Sequence, residues 1–249
     1  MNRTDYGATF EQRGLSYADA NRRWPDARCE ERAWLVADAA PVAGERVIDA
    51  PSGSGYMAAG LLRAAAPLEL VCIEPTAAFA RTLAGLPAVR APLDALPLRS
   101  ACANLVTSLA GLHHEPDVHP FLAETARVLR PGGRLALAEV AAGSAVAAFL
   151  EGTVHAWCAT GHRGHYHDLD GWRARCTAVG LDVECAVQRR LRWHFADPQA
   201  MVRFCAALFS LDAPGERVLE RLQADLGWEH DAAGVHLDWE LAYLVARKP

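Results

Sequence analysis

Five short stretches hold the residues that could do chemistry. The first, RVIDAPSGSG at Arg46–Gly55, puts Asp49 at the end of an apolar run and follows it with a turn of small residues. Backbone amides in such a turn, with the N-terminus of a helix behind them, can approach a polar ligand closely. The second is VCIEP, where Glu74 closes another apolar run 25 residues after Asp49. A carboxylate at that spacing can accept both hydroxyls of a ribose. LDALPL holds Asp94, GLHHEPD holds His113 and His114, and GHRGHYHD holds His162, His165, Tyr166 and His167. Histidine suits proton transfer near neutral pH, so a pair of them after a strand can serve as base or orienting group for a nucleophile. Chemistry is also limited by what is missing. The only lysine is Lys248, so no internal lysine is available for a Schiff base or a P-loop phosphate contact.

Hydrophobic patterning predicts the elements that position these residues. Strands are expected at Arg46–Asp49, Leu68–Glu74, Ala88–Arg90, Asn104–Ala110 and Arg134–Val140. Helices are expected at Ala18–Ala40 (with Pro25 near a start), Tyr56–Ala66, Thr76–Ala84 and Asp117–Arg130, the last stopped by PGG. This alternation implies right-handed crossovers and a doubly wound α/β sheet covered on both faces. Ligands in such sheets bind at the carboxyl ends of the strands beside the topological switch point. The loops holding Gly53, Glu74 and the His113–His114 pair fall at those ends. Beyond Val140 the pattern reads as helices Ser144–Ala159 and Leu169–Val179, a strand Asp182–Phe195, helices Pro198–Leu211 and Pro214–Leu226, and a last strand Val235–Ala246.

With 249 residues and 51% hydrophobic content the chain can bury a full core. We expect one domain over 1–249: an N-terminal helical cap at 1–44, a ligand-binding core at 45–141, and a second half at 142–249 with a helical insertion at about 196–230. A net charge of −5 and a pI near 6.1 argue against nucleic acid or an anionic membrane as partner. No apolar run approaches the roughly 20 residues of a membrane span, and the polar start MNRTDYGATFEQRG lacks the core of a signal peptide, so a cytoplasmic location is expected. The seven cysteines are scattered without a C-x-x-C pair and read as reduced thiols. No metal site is expected, because no cysteine or paired carboxylate completes the histidine-rich loop.

VIDAPSGSG, CIEP, LDALPL, NLVTSLAGLHHEPD and ETARVLRPGGRLALAEV, in that order over Arg46–Val140, resemble the class I S-adenosylmethionine-dependent methyltransferases, close to the ubiquinone/menaquinone-type small-molecule group. The helix ending in RVLRPGG before a fifth strand is the most specific part and disfavours an NAD-linked reductase. The resemblance implies a Rossmann-like seven-stranded sheet, mostly parallel with the last strand antiparallel. It implies S-adenosylmethionine as cofactor and S-adenosylhomocysteine as product. Asp49, Pro51, Gly53 and Gly55 would surround the methionine part, Glu74 and Pro75 the ribose, and Leu93, Asp94 and Ala95 the adenine. Leu109 and Ala110 would line the passage to the acceptor, and Tyr17 and Trp24 would help close the site. The chain departs from the pattern at Pro51, where a glycine is usual, and at Asn104, where the fourth strand often begins with aspartate.

On the acceptor side, His113, His114, His165 and Tyr166 are the candidates for base or orienting roles. Arg189, Arg190 and Arg192 could hold an anionic substrate but read more readily as a solvated sheet edge. The expected activity is methyl transfer to an O, N, S or C atom of a small metabolite by a monomer or homodimer. The alternatives are a protein that binds S-adenosylmethionine without methyl transfer, a reading Pro51 motivates, and an RNA or protein methyltransferase.

Overall fold

The computed structural model describes residues 6–83 and 85–249. Its frame is a sheet in the order β3-β2-β1-β4-β5-β8-β6, with β7 paired to β8. The strands are β1 (Arg46–Asp49), β2 (Glu69–Ile73), β3 (Ala88–Val89), β4 (Ala103–Leu109), β5 (Leu129–Glu139), β6 (Asp182–Phe195), β7 (Trp228–Asp231) and β8 (Gly234–Arg247). β1 to β5 are parallel, whereas β8 runs antiparallel between β5 and β6. The chain leaves β1 towards β2 and β3, then returns to place β4 on the other side of β1. That reversal opens a crevice at the carboxyl ends of β1 and β4. In register, Asp49 lies opposite Cys72 on one side and Thr107 on the other.

Helices cover both faces. α1 (Tyr6–Arg23), α2 (Cys29–Ala39), α3 (Tyr56–Ala65) and α9 (Pro198–Phe209) contribute Ala20, Leu35, Leu61 and Phe204 to one core. α5 (His119–Val128) and α8 (Leu169–Ala178) contribute Phe121, Leu122, Trp172 and Cys176 to the other. Between them run α4 (Ala77–Ala80), α6 (Ala145–Phe149) and α7 (His155–Trp157), with α10 (Gly215–Asp225) ahead of β7. All seven cysteines are free thiols, and among the described residues no helix is long and apolar enough to cross a membrane.

Four expected elements are corrected. The single helix at Ala18–Ala40 is two: α1 begins at Tyr6 and ends at Arg23, and a turn around Pro25 precedes α2. Proline has no N–H to continue the helix ladder and restricts the residue before it, so the chain bends there. The helix expected at Asp117–Arg130 ends at Val128, and Arg130–Gly133 joins the start of β5, whose register against β4 shifts between Ala103 and Leu105. The insertion after β6 contains, besides α9 and α10, the short β7 that pairs with the first residues of β8. The helix expected at Thr76–Ala84 is the four-residue α4, and Ala84 itself lies outside the described residues. Asn104 is more than a substitute for aspartate: its Oδ1 accepts the Arg46 amide at 3.0 Å and ties β4 to the start of β1.

α2 is fixed to the antiparallel half of the sheet by charge as well as packing. Glu31 is fully buried; it pairs with Arg28, accepts Trp193 Nε1–H at 3.0 Å, and its carbonyl accepts the Tyr243 hydroxyl at 3.1 Å. Removing one partner of a buried pair leaves the other charge uncompensated. Glu31→Ala should therefore cost about 3–5 kcal/mol in denaturant unfolding, and a loss below about 1 kcal/mol would contradict this account of how α2 is held.

Candidate functional site

The crevice begins with a carboxylate that water cannot reach. Asp49 is fully buried at the end of β1; its Oδ1 accepts the Thr107 hydroxyl at 2.9 Å, and its Oδ2 has no hydrogen bond. Burial pushes its pKa up to about 7, against the opposing bond from Thr107. The loop after it is tied by backbone: Ala50 N donates to Thr107 O and Ser52 N to Ile73 O, both at 2.9 Å. Pro51 sits between these two donors, so its missing N–H costs the loop nothing. It also sets how closely the loops after β1 and β4 approach. A Cβ at Gly111 would lie 2.7 Å from Pro51 Cγ, so only glycine fits opposite the proline. Gly55, at φ +80°, starts α3 where a side chain would strike Leu86.

Glu74 follows β2 and is also fully buried. Its Oε2 accepts the Gly53 amide and the Tyr6 hydroxyl, each at 2.9 Å; its Oε1 accepts the Thr76 amide at 2.9 Å and the Thr76 hydroxyl at 2.7 Å. Burial raises its pKa, and those four bonds oppose the rise. Tyr6 belongs to α1, which lies across the crevice with Phe10 packed between Phe79 and His114 at 5.1 and 4.9 Å between ring centroids. Tyr17 reaches the same wall: its ring meets Phe10 and Phe79, and its hydroxyl accepts from Arg28. Two small cavities remain beneath α1. One, of about 30 Å³, is lined by Tyr6, Pro51, Gly53, Leu109, Ala110 and Gly111 among others. The other, of about 50 Å³, is lined by Arg13, His113, His114, His162, Trp193 and Trp239 with further apolar residues.

The histidine pair is anchored from the end of β5. Glu139, fully buried, accepts the Gly111 amide at 2.8 Å and the Leu112 amide at 2.7 Å on Oε1, and its Oε2 lies 2.9 Å from His113 Nδ1. His114 packs beside His113 with ring centroids 4.2 Å apart, and burial holds its pKa well below the usual imidazole value. From the histidine-rich loop it is His162, not His165, that reaches the pair. One ring nitrogen from each of His113, His114 and His162 lies within 4.8 Å of the other two. His162 is pushed down to about 2 by burial, and its Nδ1 has no partner. The His165 side chain is exposed, while its backbone amide donates to the His113 carbonyl at 2.7 Å. Tyr166 stacks on His113 at 5.7 Å, with its hydroxyl buried and unpartnered.

Other candidates fall outside this cluster. Leu93 is buried in the core, Asp94 and Ala95 are exposed on the loop after β3, and the Pro75 carbonyl accepts from Arg90. Arg189 is paired with Asp38 and lies over Trp34 and Tyr243; Arg192 is paired with Glu229 and Asp238. Sequence reasoning missed Tyr6, Glu139 and Arg13. Only Glu139 had a usable signal, as an acid closing the apolar run LALA.

Asp49 carries a pH signature. Between its ordinary 3.8 and about 7, the folded chain keeps a proton that the unfolded chain has released. That stabilisation is complete below pH 4 and is lost as pH rises through 7. Asp49→Asn removes the titration, so wild type should lose stability relative to the variant from pH 4 to 7, by on the order of a few kcal/mol. Parallel stability–pH curves in denaturant unfolding would contradict it.

Residues 48–137 match a family described as a methyltransferase domain. Over 105 residues the chain is 32% identical to phthiotriol/phenolphthiotriol dimycocerosates methyltransferase of Mycobacterium leprae, covering 40% of this chain and 39% of that one. Over 129 residues it is 33% identical to the ubiquinone/menaquinone biosynthesis C-methyltransferase UbiE of Dinoroseobacter shibae, covering 48% and 49%. The matched stretch thus spans half or less of these relatives' length. Among solved structures, the [4+2]-cyclase SpnF shares the fold at a TM-score of 0.59 and 18% identity, over 88% of this chain and 80% of that one. Over residues 48–137, with this strand order and crevice, the chain is similar to the class I S-adenosylmethionine-dependent methyltransferases.

Proposed function

We propose that the chain transfers a methyl group from S-adenosylmethionine to an O, N, S or C atom of a small molecule. The observation that carries this reading is the buried Glu74 carboxylate, hydrogen-bonded to the Gly53 amide in the same crevice as the Glu139–His113 pair. Glu74 already accepts one hydroxyl, that of Tyr6, so its chemistry fits ribose hydroxyls. Asp49 Oδ2, buried without a partner, fits a donor from the amino-acid part. When bound, the cofactor supplies an electrophilic methyl group on sulfur. The work left to the protein is orientation and exclusion of water, and orientation alone is worth about 7–11 kcal/mol. Leu109, Ala110 and Gly111 line the first cavity, and Ala110 also lines the second. In the tautomer that carries its proton on Nδ1, His113 donates a hydrogen bond to Glu139 and keeps that proton, and its Nε2 lone pair takes a proton from an acceptor hydroxyl, amine or thiol.

The relatives act on quinone and lipid precursors according to their names, and a small-molecule acceptor follows from that kinship and from the aromatic wall of Trp193, Phe209 and Trp239. A second reading is that S-adenosylmethionine is bound without methyl transfer, since a protein of the same fold is named a cyclase and not a transferase. Incubation with S-adenosylmethionine and an acceptor panel separates them. Formation of S-adenosylhomocysteine supports transfer; tight binding without it favours the second reading.

Glu74→Gln should weaken S-adenosylhomocysteine binding about 10–100-fold in calorimetry, since hydrogen bonds to a charged acceptor are worth about 1.5–3 kcal/mol. Tyr6→Phe should tighten it by up to about tenfold, because the hydroxyl that competes for Glu74 is gone. Unchanged affinity in both variants would overturn the assignment. His113→Ala should lower turnover about 10²–10⁴-fold while leaving that affinity within a few-fold; an unaltered rate would remove His113 from the reaction.

A further inference from the structure

Two buried arginines face the cavity beside the histidines, and only one has a counter-charge. Arg28 is 4% exposed and pairs with Glu31. Arg13, on α1, is 5% exposed, and its Nη2 donates to the Phe209 carbonyl at 3.0 Å. Its Nε and Nη1 have no partner, which leaves three N–H donors unmet. Cys158, Tyr17, His114 and His162 act on it electrostatically, none of them a carboxylate, and burial disfavours its charge. The acid nearest the histidines, Glu139, is fully used by the Gly111 and Leu112 amides and by His113. An arginine stays charged at any physiological pH, so an unpaired one in such a place destabilises the fold until an anion arrives.

The rest of the cavity says what kind of anion. Phe10, Tyr17, Trp193, Phe209 and Trp239 supply aromatic wall, and His162 Nδ1 is a second polar atom there without a partner. The three histidines on their own could hold a cation. Arg13 in the same wall opposes one, and no carboxylate is free to join them as a ligand. Of the arginines that sequence alone suggested for an anion, Arg189 and Arg192 are already matched by Asp38, Glu229 and Asp238, and Arg190 is exposed on β6 outside this cavity. We propose that Arg13 binds a carboxylate of the methyl acceptor, so that the acceptor class is an aromatic or similarly flat carboxylic acid. This rests on the reading of the cavity as the acceptor side of a methyltransferase. Arg13 then sets specificity and position: its guanidinium holds the acid group while the body of the acceptor lies against the tryptophans, next to His113 and His114.

The test uses 1-naphthoate and its neutral analogue 1-naphthamide, titrated into the full-length protein with the fluorescence of the cavity tryptophans as signal. Wild type should prefer the carboxylate by at least about tenfold, the value of one charge-assisted hydrogen bond. Arg13→Gln should reduce that preference to within about twofold, while S-adenosylhomocysteine affinity, read separately, stays at the wild-type value. Equal affinity of wild type for acid and amide would overturn the proposal, and so would an undiminished preference in the variant. Loss of S-adenosylhomocysteine binding in wild type would instead count against the methyltransferase reading, and the acid–amide comparison would be unaffected by it. Stability gives a second readout. Arg13→Met removes an unpaired buried charge, so the ligand-free variant should melt no lower than wild type. A fall of more than about 5 °C would show a structural arginine and overturn the proposal.

Discussion

A carboxylate at the carboxyl end of a buried strand has no water to solvate it, and the arrangement around Glu74 follows from that constraint. Its four hydrogen bonds come from three segments: the turn after β1 through Gly53, the start of α4 through Thr76, and α1 through Tyr6. The turn and α4 are local to the sheet and would be in place with any ligand. The third donor arrives from 68 residues away and brings a whole helix with it. That hydroxyl acts with the Glu11 carboxylate, which accepts the Ala77 and Ala78 amides, and with the Arg13 bond to the Phe209 carbonyl to hold α1 over the crevice. The cavities beneath it, about 30 and 50 Å³, are far below the few hundred Å³ of an ordinary ligand site. On the function proposed above, α1 would shift to admit the cofactor, and Glu74 would exchange the Tyr6 hydroxyl for those of the ribose.

The other buried polar groups sort into two kinds. Glu31 and Glu139 are matched by named donors, and they serve the frame: one fixes α2 to β6 and β8, the other shapes the turn that carries the histidines. Asp49 Oδ2, Arg13 and His162 Nδ1 keep unmet capacity, and all three lie beside the crevice or the cavity that adjoins it. Buried polar groups in folded proteins are satisfied as a rule; Thr125 Oγ1, Trp172 Nε1 and Trp228 Nε1 are also unpartnered and line neither cavity, so it is the gathering of unmet groups at the crevice that points to a ligand there. Pro51 fits the same reasoning. It sits where no amide is needed and where its ring sets the spacing to Gly111, so it is a packing residue of the loop.

Much of the frame was legible in the sequence. Asp182–Phe195 reads as a strand and is one, and the apolar runs ending at Asp49 and Glu74 fall where their periodicity puts them. Those signals are local. What was not legible depends on contacts between distant residues: the resemblance implied Tyr17 and Trp24 as closing residues, whereas the tyrosine whose hydroxyl reaches Glu74 is Tyr6. In the histidine-rich loop, spacing alone could not say that His162 would turn inward and His165 outward. Arg13 looked like any surface arginine on a polar helix, and only its burial without a carboxylate distinguishes it. The short β7 hid in the insertion because its residues WEHD carry no strand pattern without β8 beside them.

The most direct measurement of the central claim is a crystal structure of the full-length protein with S-adenosylhomocysteine. The account predicts the ribose hydroxyls on the Glu74 carboxylate, the Tyr6 hydroxyl displaced from it, and α1 shifted away from the crevice. Ligand bound elsewhere, with the Tyr6–Glu74 hydrogen bond intact, would contradict it.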